Sequence, residues 1–359
     1  MKNIIICILM YLFMNISSFA IEVTGTPPEF TGNVAFTTEL EKVFDKFLGE
    51  INDNVRDISL KPEQLIRAWG NSAVFASHGG THRAFGGYKL FTLTLGPMLG
   101  VQLPVSPFRI FSEFDNLTNK LQDEGDINLG INPQLNLHLG INTSFLLKNL
   151  YLGLRVGYIN FPNLIDGFSF KTTTIGLTAN YQLVSPVDLA SLIVWRGVNI
   201  GSGFIFNNSK MNFSLPMEAF SEPLDGTYTN AILQIDPRIF LDLNIKTYTI
   251  PLEVMTAIKL LFVNIPIGLG VDLAFGKSDM KIGMDADINV IGSQIYNVNQ
   301  TRPGSLSVNA GGEMSPSFMN LKLMSGIGFV FGPVVIDIPI TYYFINNGFN
   351  IGVNIGVTF

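Results

Sequence analysis

The chain has 359 residues, with 22 Lys+Arg against 28 Asp+Glu, 14% charged and 47% hydrophobic residues, 35 glycines and 29 phenylalanines. A soluble protein carries about 25% charged residues, and a nucleic-acid partner would call for a basic patch that this sequence lacks. Membrane-spanning helices are excluded as well. The most apolar tract after the first twenty residues, 249–275, contains Glu253, Lys259 and Asp272, where a spanning helix needs about 20 apolar residues.

The chain begins "MKNIIICILMYLFMNISSFA", with one early lysine, an apolar run from Ile4 to Met14 and a small-residue exit at Ser17, Ser18 and Ala20. This predicts a secretory signal peptide over residues 1–20, cleaved after Ala20; the run is too short for a membrane anchor. Cys7, the one cysteine, lies inside it, so the mature chain has no thiol for disulfides, catalysis or zinc. Without Lys2, the mature chain has 21 Lys+Arg against 28 Asp+Glu, a net charge of −7.

Residues 21–87 form the next unit. Leu40, Val43, Phe44, Phe47, Leu48, Ile51, Val55 and Ile58 recur at helical spacing and predict a helix over 37–58. Thr38 and Glu41 make a capping box at its start. A second helix is expected at 62–69, with Pro62 in its first turn and Gly70 just past its end. The tract "AWGNSAVFASHGGTHRAFGGYK" follows, dense in glycine and aromatics and suited to irregular close packing. The reading is a small helical plug, or hatch, inside a barrel. A separate periplasmic helical domain is the competing account of 38–58, and 68–87 is the tract best suited to the lumen.

From Tyr88 to Phe359 the pattern has period 2. In 129–142, Leu129, Ile131, Leu135, Leu137, Leu139 and Ile141 oppose Gly130, Asn132, Gln134, Asn136, His138, Gly140 and Asn142. The alternation recurs at 152–158, 239–246, 267–275, 282–290 and 336–344, and it ends the chain with Phe349, Ile351, Val353, Ile355, Val357 and Phe359 against Gly, Asn and Thr. Apolar residues toward lipid and small or polar ones toward a lumen are the pattern of an all-β, transmembrane antiparallel β-barrel, which satisfies every backbone group in lipid. A soluble sandwich also alternates, but its strands are shorter. The expected count is about fourteen strands over 88–359, with twelve as the lower figure. Tracts 207–230 and 298–317 read as long extracellular loops.

Enzyme chemistry finds little support. His78 and His82 stand four apart, but Gly79 and Gly80 between them oppose the helix that a metal pair needs. With Arg83 they suit a ligand carboxylate better, so no metal and no cofactor is expected. His138 shares its face with Asn136 and Gly140 and so points to the lumen, away from the lipid that a phospholipase would attack. Asp285 and Asp287 share one face and are read as luminal carboxylates that tune a pore. No catalytic residue is assigned.

The tracts 67–104, "RAWGNSAVFASHGGTHRAFGGYKLFTLTLGPMLGVQLP", and 331–359, "FGPVVIDIPITYYFINNGFNIGVNIGVTF", together with the leader, hatch and terminal phenylalanine, resemble the FadL-type outer-membrane transporters, in particular their spirochaetal, treponemal-like members. The Asn-Pro-Ala-type tract found early in the hatch of better-known members is missing, so their ligand contacts are not carried over. The resemblance implies passive uptake of long-chain fatty acids or other hydrophobic small molecules across the bacterial outer membrane, with hatch movement and lateral release. Trp69, Phe75, His78, His82, Arg83, Phe85 and Tyr88 are the candidate ligand contacts. Phe359 is the candidate signal for the barrel assembly machinery. Expected partners are that machinery, outer-membrane lipids and an apolar ligand. Two other functions fit the same barrel: a general diffusion porin, and a surface adhesin acting through its loops.

Overall fold

The computed structural model describes residues 22–31, 34–56, 62–77, 89–104, 128–143, 145, 147–223, 232–291 and 299–359. The signal peptide reading of residues 1–20 lies outside them. Strands β1 (Glu22–Thr26) and β2 (Glu29–Thr31) precede helices α1 (Val34–Arg56) and α2 (Pro62–Ser77). Then come β3 (Phe91–Gln102), β4 (Gly130–Asn142), β5 (Leu150–Ile165), β6 (Phe168–Val184), β7 (Val187–Ala190), β8 (Ile193–Pro216) and β9 (Phe220–Pro223). The last are β10 (Ile232–Leu260), β11 (Val263–Ile291), β12 (Asn299–Arg302), β13 (Gly304–Met314), β14 (Met319–Phe331), β15 (Val334–Tyr343), β16 (Gly348–Gly352) and β17 (Asn354–Thr358).

The pairings close into a ring. β3, β4, β5, β6, β8, β10 and β11 follow one another, all antiparallel. β11 pairs with β14 along its first half and with β13 along its second, in one continuous register, so β13 and β14 are two pieces of a single stave. β15 then pairs with β16 and β17, which share another stave and return to β3. Phe91 and Phe359 complete the closure by exchanging backbone bonds of 3.1 and 2.9 Å. The transmembrane β-barrel is therefore as expected, but among the described residues it has ten staves rather than about fourteen.

The shortfall has a physical reason. β10 and β11 are each 29 residues long, roughly three times the ~9–11 residues that cross a bilayer. Each held two alternating tracts with a polar break between them, which imitates two strands and a turn. Tracts 207–230 and 298–317 are corrected for the same reason: 207–216 continues β8, and 304–314 is β13.

The faces of these long staves invert partway along. On β10, Thr247, Thr249, Met255 and Ala257 are buried inside while Tyr248, Leu252, Val254 and Ile258 are exposed outside. Nearer its start the inside holds Leu233, Ile235, Leu243 and Ile245, and the outside holds Asp236, Arg238, Asp242 and Lys246. β11 changes at the same level, because Thr247 stands opposite Gly276. Ile265, Ile267, Leu269 and Phe275 face out before it; afterwards Met280, Ala286, Ile288 and Val290 face in. The stretch from Val263 to Phe275 (roughly 3.3 Å per residue, tilted about 45°) spans about 30 Å, a bilayer core. Beyond it the staves rise as a turret whose outer face is polar.

The lipid-facing assignment for 239–245 and 282–290 is therefore reversed. Asp285 and Asp287 lie on the outer surface of the turret, exposed, and are not luminal. Elsewhere the expected faces hold: His138 and Arg155 point inward at 2% and 1% exposure.

Helix α1 fills the turret. Its Leu40 and Phe44 pack on Leu233, Ile235, Ile288, Leu306 and Val308. The helix starts at Val34, earlier than the Thr38–Glu41 box suggested. Helix α2 runs to Ser77, so residues 70–77 are helical where an irregular segment was expected, Gly70 lies within the helix rather than beyond it, and 78–88 lie outside the described residues.

Candidate functional site

Helix α2 lies within the ring, in contact with β3, β4, β8, β10, β11, β13 and β16. Residues 70–77 are all buried. Near its start, Ile66 and Trp69 pack with Phe170, Met211, Leu243, Ile245 and Met280, the apolar inside of the lower turret. Farther along it enters the polar section. Two glycines admit it: a side chain at Gly100 would strike the backbone of Ser72 and Ala76, and one at Gly130 the backbone of Ala68.

A helix ends with carbonyls that lack intrahelical donors. The barrel wall supplies them. Arg155 Nη1 donates to Ser77 O, Asn350 Nδ2 to Phe75 O, and Gln134 Nε2 to Ala73 O at 3.5 Å. Ser77 Oγ donates to Val74 O at 2.7 Å. The Arg155 charge also faces the negative end of the helix dipole. One turn earlier, Asn71 donates to Gln102 Oε1 at 2.8 Å and accepts from Ser317 N at 2.7 Å. The Phe75 ring stacks on Tyr343 at 3.8 Å between centroids.

Beside this seat lies a buried ionic group. Lys322 Nζ sits 2.5 Å from Glu253 Oε1 and 2.6 Å from Asp272 Oδ1, with Lys322 wholly buried. The three project from β14, β10 and β11, and pairing Lys322 with two carboxylates is what allows a charge into the barrel interior.

The lipid face has an apolar groove of about 600 Å³ at the same level. Ile200, Ser202, Leu252, Val254, Leu269 and Leu321 line it, with Gly201, Glu253 and Gly270 at its floor. Glu253 thus meets the groove on one side and Lys322 on the other. The β8–β10 ladder here runs from Thr249–Ile205 to Leu252–Ser202, skipping Ile250 and Pro251; proline has no N–H to contribute.

Of the residues expected to meet a ligand, Trp69 and Phe75 are brought together with the inner wall by α2. His78, His82, Arg83, Phe85 and Tyr88 lie outside the described residues. Phe359 ends the closing strand. Sequence reasoning missed the role of Arg155, Gln134 and Asn350 as supports of α2. Their inward parity was legible; that a helix end would stand opposite them was not. The Lys322–Glu253–Asp272 group was equally hidden, because its members are far apart in sequence.

Solved structures similar to the chain include the translocator domain of the autotransporter NalP from Neisseria meningitidis, at 11% identity and a TM-score of 0.29, covering 90% of this chain and 98% of that one. The CymD monoaromatic hydrocarbon channel has 11% identity and a TM-score of 0.26, covering 80% and 94%. LpxR from Salmonella typhimurium has 10% identity and a TM-score of 0.25, covering 74% and 100%. With TM-scores this low, none of them bears on what this chain does. No curated protein matches it. Residues 19–359 match the model of the Lsa36-like family, and the chain belongs to that family.

Proposed function

We propose that the chain is a bacterial outer-membrane channel for hydrophobic small molecules such as long-chain fatty acids, closed by α2 and releasing its passenger sideways. The observation that carries this reading is the seat of α2. The helix stands inside the ring, and its membrane-level end is held by hydrogen bonds that water can replace, each worth about 0.5–1.5 kcal/mol net, or about 1.5–3 kcal/mol for the one from the charged Arg155. Such a closure is removable. The apolar groove beside the skipped β8–β10 rungs suits the exit of an apolar molecule into lipid, and the resemblance of 67–104 and 331–359 to FadL-type transporters supports the passenger class. An open diffusion porin fits poorly with an occupied lumen.

The test is a disulfide between Asn71→Cys on α2 and Ser317→Cys on the wall between β13 and β14, whose side chains meet at 3.1 Å. In proteoliposomes, uptake of a fluorescent fatty acid should stop on oxidation and return on reduction. Uptake indifferent to the crosslink defeats the reading, as does unchanged single-channel conductance after deletion of residues 21–80. The turret favours one further reading, a surface-contact role. Binding of a host protein by the intact barrel, lost on replacing exposed turret residues such as Asp285 and Arg238, would support it instead.

A further inference from the structure

Four outward lysines gather at one level of the wall: Lys171 on β6, Lys210 on β8, Lys246 on β10 and Lys277 on β11, all exposed. The register sets Lys171 directly opposite Lys210 and Lys246 directly opposite Lys277. Like charges facing each other across a ladder weaken it. Relief from carboxylates is partial. Glu313 pairs with Lys277, Asp279 stands opposite Asn244 and Glu313, and Asp242 stands opposite Lys281 while accepting from Asn212 at 2.6 Å. Lys171, Lys210 and Lys246 make no salt bridge among the described residues.

A row of rings lies next to them on the membrane side. Phe206 and Tyr248 are 5.1 Å apart, Phe275 and Phe318 are 5.2 Å apart, and Lys171 Nζ is 6.0 Å from the centre of the Tyr158 ring. Aromatic belts mark the headgroup boundary. Two residues along a strand from Tyr248 to Lys246 is about 7 Å, which puts the ammonium groups at the depth of lipid phosphates. The long lysine stems can lie along the rings while their charged ends reach the interface.

We infer that this lysine belt binds anionic membrane lipid, holding the headgroup phosphate among Lys171, Lys210 and Lys246 with the acyl chains against Phe206 and Tyr248. A bound phosphate offsets the Lys171–Lys210 rung, which the wall leaves without a carboxylate, and Lys246, whose opposite number Lys277 already has Glu313. The site depends on where the barrel crosses the bilayer and not on what the channel carries, so failure of the transport reading leaves it standing.

The test uses the full chain refolded in detergent with equal phosphatidylglycerol and phosphatidylcholine, and native mass spectrometry to count retained lipid. Phosphatidylglycerol should be preferred, and the preference should fall about fivefold for each lysine among K171Q, K210Q and K246Q. The triple arginine variant should keep it, and heat-modified gel mobility shows that each variant is folded. Equal retention by the wild type and the folded triple glutamine variant overturns the inference. Displacement of phosphatidylglycerol by equimolar inorganic phosphate overturns it too, since the occupant would then be a soluble anion.

Discussion

The membrane section and the turret are made from the same staves, yet they follow opposite rules. Below Thr247 on β10 the wall is apolar outside and polar inside; above Lys246 it is polar outside and apolar inside. The ladder does not break at that point, since the β10–β11 register continues through it, although Gly276 opposite Thr247 takes a positive φ of 133°. What changes is the location of water. In the bilayer the outer surface meets hydrocarbon and the inner one faces a polar helix end and an ionic group. Above the bilayer the outer surface meets solvent, and the inner one is covered by α1. Alternation therefore reports that a strand has two environments, and it leaves open which of them is inside.

The largest effect that tests this comparison is a charge placed inside the turret. Ile288→Asp, at a fully buried inward position, should cost about 4 kcal/mol or more in urea titrations in lipid vesicles, because it buries an unpaired charge. Removing the filling comes next. Phe44→Ala should cost about 3–5 kcal/mol and make the turret staves sensitive to added protease while the membrane section stays resistant. On the lipid face, Leu269→Arg should cost about 2–4 kcal/mol. At the helix end, Arg155→Gln should cost about 1–2 kcal/mol through the lost dipole interaction, read as faster hydrogen exchange confined to α2. The smallest effect is expected from Asp287→Ile, one position from Ile288, which should fall within about 0.5 kcal/mol. If Asp287→Ile proved as costly as Ile288→Asp, the face inversion would be wrong.

The barrel was legible because 129–142 and 348–359 carry the period-2 signal without interruption, and lipid on one side demands it. The turret was not, because Ile282, Met284 and Ile288 alternate with Gly283, Asp285 and Asp287 just as a membrane strand would. Only their pairing with a stave that carries Lys246 and Asp242 on its outer face tells the two apart. The extent of α2 was obscured by Gly70 and by small residues that resemble a loop. Ala68, Ser72 and Ala76 are there because the helix passes within contact distance of Gly100 and Gly130, and Gly70 because it passes against Ser278 and Pro316. Its supports, Arg155 and Asn350, are separated from Ser77 and Phe75 by 78 and 275 positions, a distance that no local pattern spans.

The rung between Phe91 and Phe359 also dictates an order of events. It joins the first membrane strand to the final stave across 268 positions (359 − 91), so it is among the longest loops to close and belongs late in folding. Until it forms, β3 and the final stave are open edges able to pair with other chains. Helix α2 must already be within the curling sheet when that happens, because afterwards it would have to enter a finished cylinder. The helix that occupies the barrel is thus also the form around which the barrel is wrapped, and a chain lacking Phe359 would lose only the last rung of a seam that β16 and β17 hold against β3.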